Sequence, residues 1–174
     1  MKFTVSHTIA DITVNTFAGL FFDEPFNDAL CQHLSLNRQV MNISNDGKHF
    51  SRMVRIKPER EMPAAAQKVL KQLGVDRISY TEHLTFDIAA NEGTWRLEPA
   101  ALAEKLQSQG RILFVQDGTG VKRIVEGEVS VKVFGLGGMI ERLVVADVEK
   151  SYAEAAEYTR NWIRDGKGTG ALLV

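Results

Sequence analysis

Polar and apolar positions along this chain follow two periods. The period of two covers most of it: Phe3, Val5, His7 and Ile9 share one side of a first strand, with Lys2, Thr4, Ser6 and Thr8 on the other. Asp11 or Thr13 can then cap a short helix through Phe22, and Asp23-Glu24-Pro25 reads as a cap with proline in the first turn of a second helix ending near Leu34. Strand-like stretches return at Arg38 to Ile43 and His49 to Lys57, joined by a linker whose Asp46-Gly47 pair signals a hairpin. Pro58 ends that pair, and Pro63 to Gly74 has the composition and the glycine stop of a connecting helix. Ile78 to Ile88 alternates again, Asn91-Glu92-Gly93 turns the chain, and Thr94 to Glu98 reads as strand. Pro99 to Gln107 has helical composition in a region that otherwise reads as sheet, which leaves its state open. Arg111 to Gln116 and Val121 to Phe134 form a last hairpin around Asp117-Gly118-Thr119-Gly120.

The second period, near 3.6, begins after Gly135, Gly137 and Gly138 and runs from Met139 to Asp165. Ile140, Val144, Val148, Tyr152, Ala155, Ala156, Thr159, Trp162 and Ile163 fall on one helical face. Glu141 stands in the expected first turn and Arg160 and Arg164 in the last, each on the side the helix dipole favours, with Gly166 as the left-handed stop. At ~1.5 Å per residue this helix is about 40 Å long. Leu143-Val144-Val145-Ala146 is apolar nearly all round, so another element must wrap that end. Antiparallel strands with one apolar face need a cover, and this helix is the element long enough to supply it. The pattern therefore predicts an α+β fold in which a curved antiparallel sheet grips a long terminal helix.

Length and charge narrow the function classes. The 174 residues suffice for one domain with a sizeable core, expected over 1–166, with a loose glycine-rich tail at 167–174. Twenty-one basic and 22 acidic side chains leave a formal charge of -1, which argues against nucleic acid or an anionic membrane as a standing partner. A single cysteine, Cys31, permits no internal disulfide and no cysteine-built zinc site, and the expected compartment is the cytoplasm. Met1 to Ser6 alternates and does not resemble a signal peptide, and no run approaches the ~18 apolar residues of a membrane span.

Several chemistries can be weighed on their residues. The Gly135-Leu136-Gly137-Gly138 loop lacks the third glycine of a dinucleotide loop, where Ile140 stands, and no further strand follows its helix; a swing from sheet edge into helix explains it better. Cys31 has no marked orienting group or oxyanion loop and reads as a small apolar residue. His7, His33, His49 and His83 make no metal-binding pair, so neither a metal nor another cofactor is implied. The more informative signal is ionisable residues on the apolar sides of strands. Alternation places His7 with Phe3 and Val5, Arg52 with Phe50 and Val54, Glu82 with Tyr80 and Leu84, and Arg123 with Val121 and Val125. Such groups must pair, reach water or meet a ligand, because an isolated buried charge is costly. Two readings stay open. In one, bulges shift the register or Arg52 and Glu82 form a core ion pair; in the other, His7, Arg52, Tyr80, Glu82 and Arg123 line a mostly apolar cavity and orient a ligand, with Arg52 and Glu82 facing each other at its polar end.

Phe3 to His7, the two-helix segment Val14 to Leu34, and above all the run from Arg123 through Gly127, Val133, Gly135 and Gly138 to Glu141 resemble the START-like, or SRPBCC, helix-grip superfamily, which includes birch-pollen-allergen-like proteins. Within it the chain looks most like an uncharacterised bacterial family. The resemblance spans nearly the whole chain and implies binding or transport of a hydrophobic or amphipathic, lipid-like small molecule between sheet and helix. The superfamily also hosts enzymes in the same cavity, so a cyclase- or hydrolase-like enzyme is one alternative, and a protein-interaction module with a filled cavity is another. No catalytic set of an enzymatic branch matches residue by residue, and the helix after Pro63 departs from the plainest members.

Overall fold

The computed structural model describes residues 1–62 and 64–167. Its first strand, β1 (Lys2–Ile9), buries Phe3, Val5 and Ile9 as its alternation requires. Two helices follow, α1 (Val14–Phe21) and α2 (Glu24–His33). Side-chain caps start both: the Thr13 hydroxyl accepts from the Thr16 amide at 3.2 Å, and the Asp23 carboxylate from the Phe26 amide at 2.9 Å. Each satisfies a donor that the first helical turn leaves unpaired. Asp11, the other candidate cap, instead turns the chain with φ 55°. The hairpin of β2 (Leu36–Asn45) and β3 (His49–Pro58) is closed by Asp46, whose carboxylate accepts from the Lys48 and His49 amides at 2.8 and 2.6 Å. Then come α3 (Ala64–Gln72), β4 (Tyr80–Asp87), β5 (Glu92–Pro99), β6 (Leu106–Asp117), β7 (Gly120–Val131) and α4 (Gly137–Arg164). Pro63, the expected start of α3, and residues 168–174 of the expected tail lie outside the described residues.

The strands form one antiparallel sheet in the order β1-β7-β6-β5-β4-β3-β2. All neighbours except β1 and β7 are consecutive in sequence, while α1 and α2 carry the chain from one sheet edge to the other. The sheet curves around α4, which packs on β1 and β7 and buries Ile140, Val145, Ala155, Ala156 and Thr159. This is the expected α+β architecture. The apolar first half of α4 is wrapped by α3, whose Val69 is buried in the main core cluster and whose flanking Leu73 packs against it, alongside Val144 and Val148.

Three local differences have physical causes. The stretch left open at 99–107 ends β5 at Pro99, turns through 100–105, and begins β6 at Leu106, five residues before the expected Arg111. The early part of β6 escapes a hydrophobic reading because Ser108 and Gly110 occupy its inward positions. A Cβ on Gly110 would stand 2.7 Å from the Trp95 ring and 1.9 Å from the Glu126 carbonyl, so the small residue makes room for the large one. The terminal helix begins at Gly137 rather than Met139, which removes Glu141 from its first turn. Glu141 instead accepts from the Val131 amide at 2.9 Å and pairs with the Met1 ammonium at 3.3 Å, tying the helix start to the end of β7. A Cβ on Gly137 would lie 2.4 Å from the Val131 carbonyl, and Gly135 has φ 73°; this is the swing from sheet into helix that the glycines suggested. Finally, β7 stops at Val131, leaving Phe134 fully exposed beyond it.

Candidate ligand-binding site

The register brings the ionisable residues to the inner face as the alternation implied. His7 and Arg123 are direct cross-strand partners on β1 and β7. Arg52 opposes Leu84 while Val54 opposes Glu82, so Arg52 and Glu82 are diagonal neighbours on β3 and β4. Tyr80, opposite Ile56, continues the same face.

At the β3–β4 end, Arg52 is fully engaged. Its Nε donates to Glu82 Oε1 at 3.1 Å, its Nη1 to Asn27 Oδ1 at 3.4 Å, and its guanidinium lies 5.2 Å from the centre of the Phe21 ring. The ion pair that alternation left as one of two readings is therefore formed, with the Arg52 side chain 9% exposed and that of Glu82 27%. Asn27, buried on α2, is fixed by donating its own amide to the Phe21 and Asp23 carbonyls at 2.9 and 2.7 Å. Beside it, Arg38 on β2 donates to both Glu24 oxygens at 2.7 and 2.9 Å and to Asp28 at 2.8 Å. Burial pulls the Arg38 guanidinium down, but the Glu24 and Asp28 contacts outweigh it and hold the pKa above its ordinary value. Sequence reasoning missed Arg38 because β2 begins earlier than expected and its register shifts after Val40, so no clean alternation marks the inward side. The signal that could have found it is Leu36-x-Arg38-x-Val40, once Leu36 is read as strand.

At the β1–β7 end the chemistry differs. Arg123 is 6% exposed. Its Nη2 donates to the Tyr152 carbonyl at 3.1 Å and its guanidinium lies 4.8 Å from the centre of the Tyr152 ring, yet no carboxylate among the described residues lies within ion-pair distance. Burial depresses this guanidinium, and the nearby Arg160 adds to the effect. His7 Nδ1 is buried and has no hydrogen-bond partner. Burial, then Arg123 and Arg160, hold the imidazole below its usual range.

Between the two ends stand Tyr80, Tyr152 and Cys31. Burial pushes the Tyr80 phenol well up, helped by Glu82 and Tyr152. Burial also raises Tyr152, against the pull of Arg123, and raises the Cys31 thiol, against Arg38 and Arg52. The His33 ring packs on Tyr158 with centroids 4.6 Å apart. No group of three potential metal ligands occurs among the described residues, and no described helix is long and apolar enough to cross a membrane. The open concavities lie elsewhere, one of about 360 Å³ between α1 and the β6–β7 turn and one of about 510 Å³ on the outer side of α3. Helices α1, α2 and α4 cover the inner face, with Glu82 still 27% exposed.

A curved antiparallel sheet closed on a C-terminal helix, with two short helices after its first strand, is the START-like helix-grip fold. It is similar to the START superfamily protein from Mycobacterium smegmatis, with TM-score 0.58, 14% identity, and 94% of this chain and 97% of that chain covered. TTHA0849 from Thermus thermophilus is similar at TM-score 0.64 and 11% identity, covering 91% of this chain and 96% of that one. The di-domain ARO/CYC StfQ from the steffimycin biosynthetic pathway is similar at TM-score 0.53 and 13% identity over 92% of this chain and 44% of its own. The chain belongs to the DUF2505 family, described as proteins of unknown function, whose model matches residues 4–163. No curated protein matches the sequence.

Proposed function

We propose that residues 1–166 form one helix-grip domain that binds a hydrophobic or amphipathic small molecule between its sheet and α4, in the cytoplasm, with His7, Arg52, Tyr80, Glu82 and Arg123 orienting it. The observation that carries this reading is the set of polar groups on an otherwise apolar inner face, where a core built for stability alone has no need of them. A roofed site requires the covering helices to part for entry. The β3–α3 connection is latched to α4 by Arg60, which donates to Asp147 at 2.5 Å and to Ser151 at 2.8 Å, so this is the joint expected to open.

A naphthalene-sulfonate fluorophore should bind the folded protein saturably and be displaced by a bacterial lipid extract, with the thermal transition staying cooperative. Binding that appears only when cooperativity is lost would contradict the proposal. It would shift weight to a protein-interaction module, for which the exposed Val40, Met41 and Ile43 on the edge strand β2 offer an apolar surface.

A further inference from the structure

The two ends of the inner face differ in charge balance, and that difference selects a ligand. At the β3–β4 end, each inward cation among the described residues faces an anion: Arg52 meets Glu82, and Arg38 meets Glu24 and Asp28. At the β1–β7 end no inward side-chain cation among the described residues does. Arg123 is only 6% exposed yet holds only one carbonyl and one aromatic face, and its cross-strand neighbour His7 leaves a buried ring nitrogen unpaired. Arg160, the next cation along, directs two donors to the Thr8 carbonyl at 2.9 and 3.3 Å and likewise meets no carboxylate among the described residues. Buried cations are normally paired, because neither a carbonyl nor a ring face replaces the water a guanidinium has given up.

We propose, on the reading that the interior binds a ligand, that Arg123 and His7 form its anion subsite and that the ligand is a monoanionic amphiphile, an acid carrying an apolar chain. A carboxylate matches this corner in three respects. Its single charge balances the one buried guanidinium, since Arg160 is exposed and water screens its charge, and a dianion would leave a buried excess. Its oxygens accept from the guanidinium in the charge-assisted geometry that arginine favours. With the proton on Nδ1, a neutral His7 supplies a further donor from the facing strand. The apolar chain then lies along Val5, Val125 and Ile112 under α4. The Arg52–Glu82 end is already neutral and suits an uncharged polar group.

The test is calorimetric titration of the full chain with octanoate and with octan-1-ol, which share a chain and differ in the charged head. Wild type should prefer the acid by at least about tenfold, the scale of one charge-assisted hydrogen bond. Arg123→Met should collapse that preference toward one, and Arg123→Lys should restore part of it. His7→Gln should reduce it by a smaller factor. Equal affinities for acid and alcohol in wild type, or a preference that survives Arg123→Met, would overturn the anion subsite while leaving a ligand-binding interior intact. Binding of neither compound would overturn the binding reading and the subsite with it. If Arg123→Met fails to fold, as judged by its circular-dichroism melt, the wild-type preference and the His7→Gln titration decide the matter.

Discussion

His7 links charge to stability through one strand pair. Its pKa is held below the ordinary 6.5 by burial first, then by Arg123 and Arg160. The unfolded chain therefore binds the proton more readily than the folded one. The stability this group contributes is present above about pH 6.5 and is lost as pH falls through its folded pKa. The carboxylates with lowered values, Asp46 and Glu141, act at lower pH, because their ordinary values are 3.8 and 4.5. Denaturant melts at intervals between about pH 7 and 5 should show falling stability in wild type and a flatter dependence in His7→Gln. An unchanged slope would mean that His7 titrates as in the unfolded chain. Arg52 and Glu82 give a second residue-scale prediction. In a double-mutant cycle, Arg52→Met and Glu82→Gln should couple by about 1 to 2 kcal/mol, whereas additivity within ~0.5 kcal/mol would show that the 3.1 Å contact does no energetic work. The inward placement of these four residues was legible because β1, β3, β4 and β7 keep an unbroken period of two. Whether each was paired was not legible, because partners such as Asn27 and Tyr152 come from helices whose contact with the sheet is set by packing rather than by alternation.

Among the elements, those read most fully were the ones with long uniform periods. The capped helices α1 and α2 and the long α4 were recognisable from their own residues, and so was β7 with its row of inward valines. The first half of β6 was not, since its inward positions answer to residues far away in sequence. Gly110 and Gly127 face each other across β6 and β7 beneath Phe3 and Trp95, whose ring centroids are 6.2 Å apart. A Cβ on Gly127 would come within 2.4 Å of the Phe3 ring. Alanine at Gly110 meets backbone rather than a movable side chain, so Gly110→Ala should cost at least ~3 kcal/mol, the upper part of the range for overpacking. Equilibrium unfolding in urea measures this, and a cost under ~1 kcal/mol would mean that the paired glycines are not what seats the two rings. The start of α4 was misplaced by two residues for a related reason. Gly137 is helical and packed against the Val131 carbonyl, although glycine ordinarily argues for loop.

For the molecule as a whole, the fold follows from one requirement: a sheet with one apolar face must be covered, and α4 with α1, α2 and α3 covers it. Function is less determined, because the same layers can enclose a ligand, a reaction or nothing at all. What separates these outcomes here is that, among the described residues, the covered face keeps a guanidinium with no carboxylate partner, an imidazole nitrogen with no hydrogen-bond partner, and two phenols. Native mass spectrometry of gently purified protein, followed by organic extraction, tests this most directly. The expected spectrum shows a species heavier than the bare chain by one small-molecule mass, released into organic solvent as an apolar acid. A spectrum of bare chain alone, unchanged after incubation with a lipid extract, would contradict it.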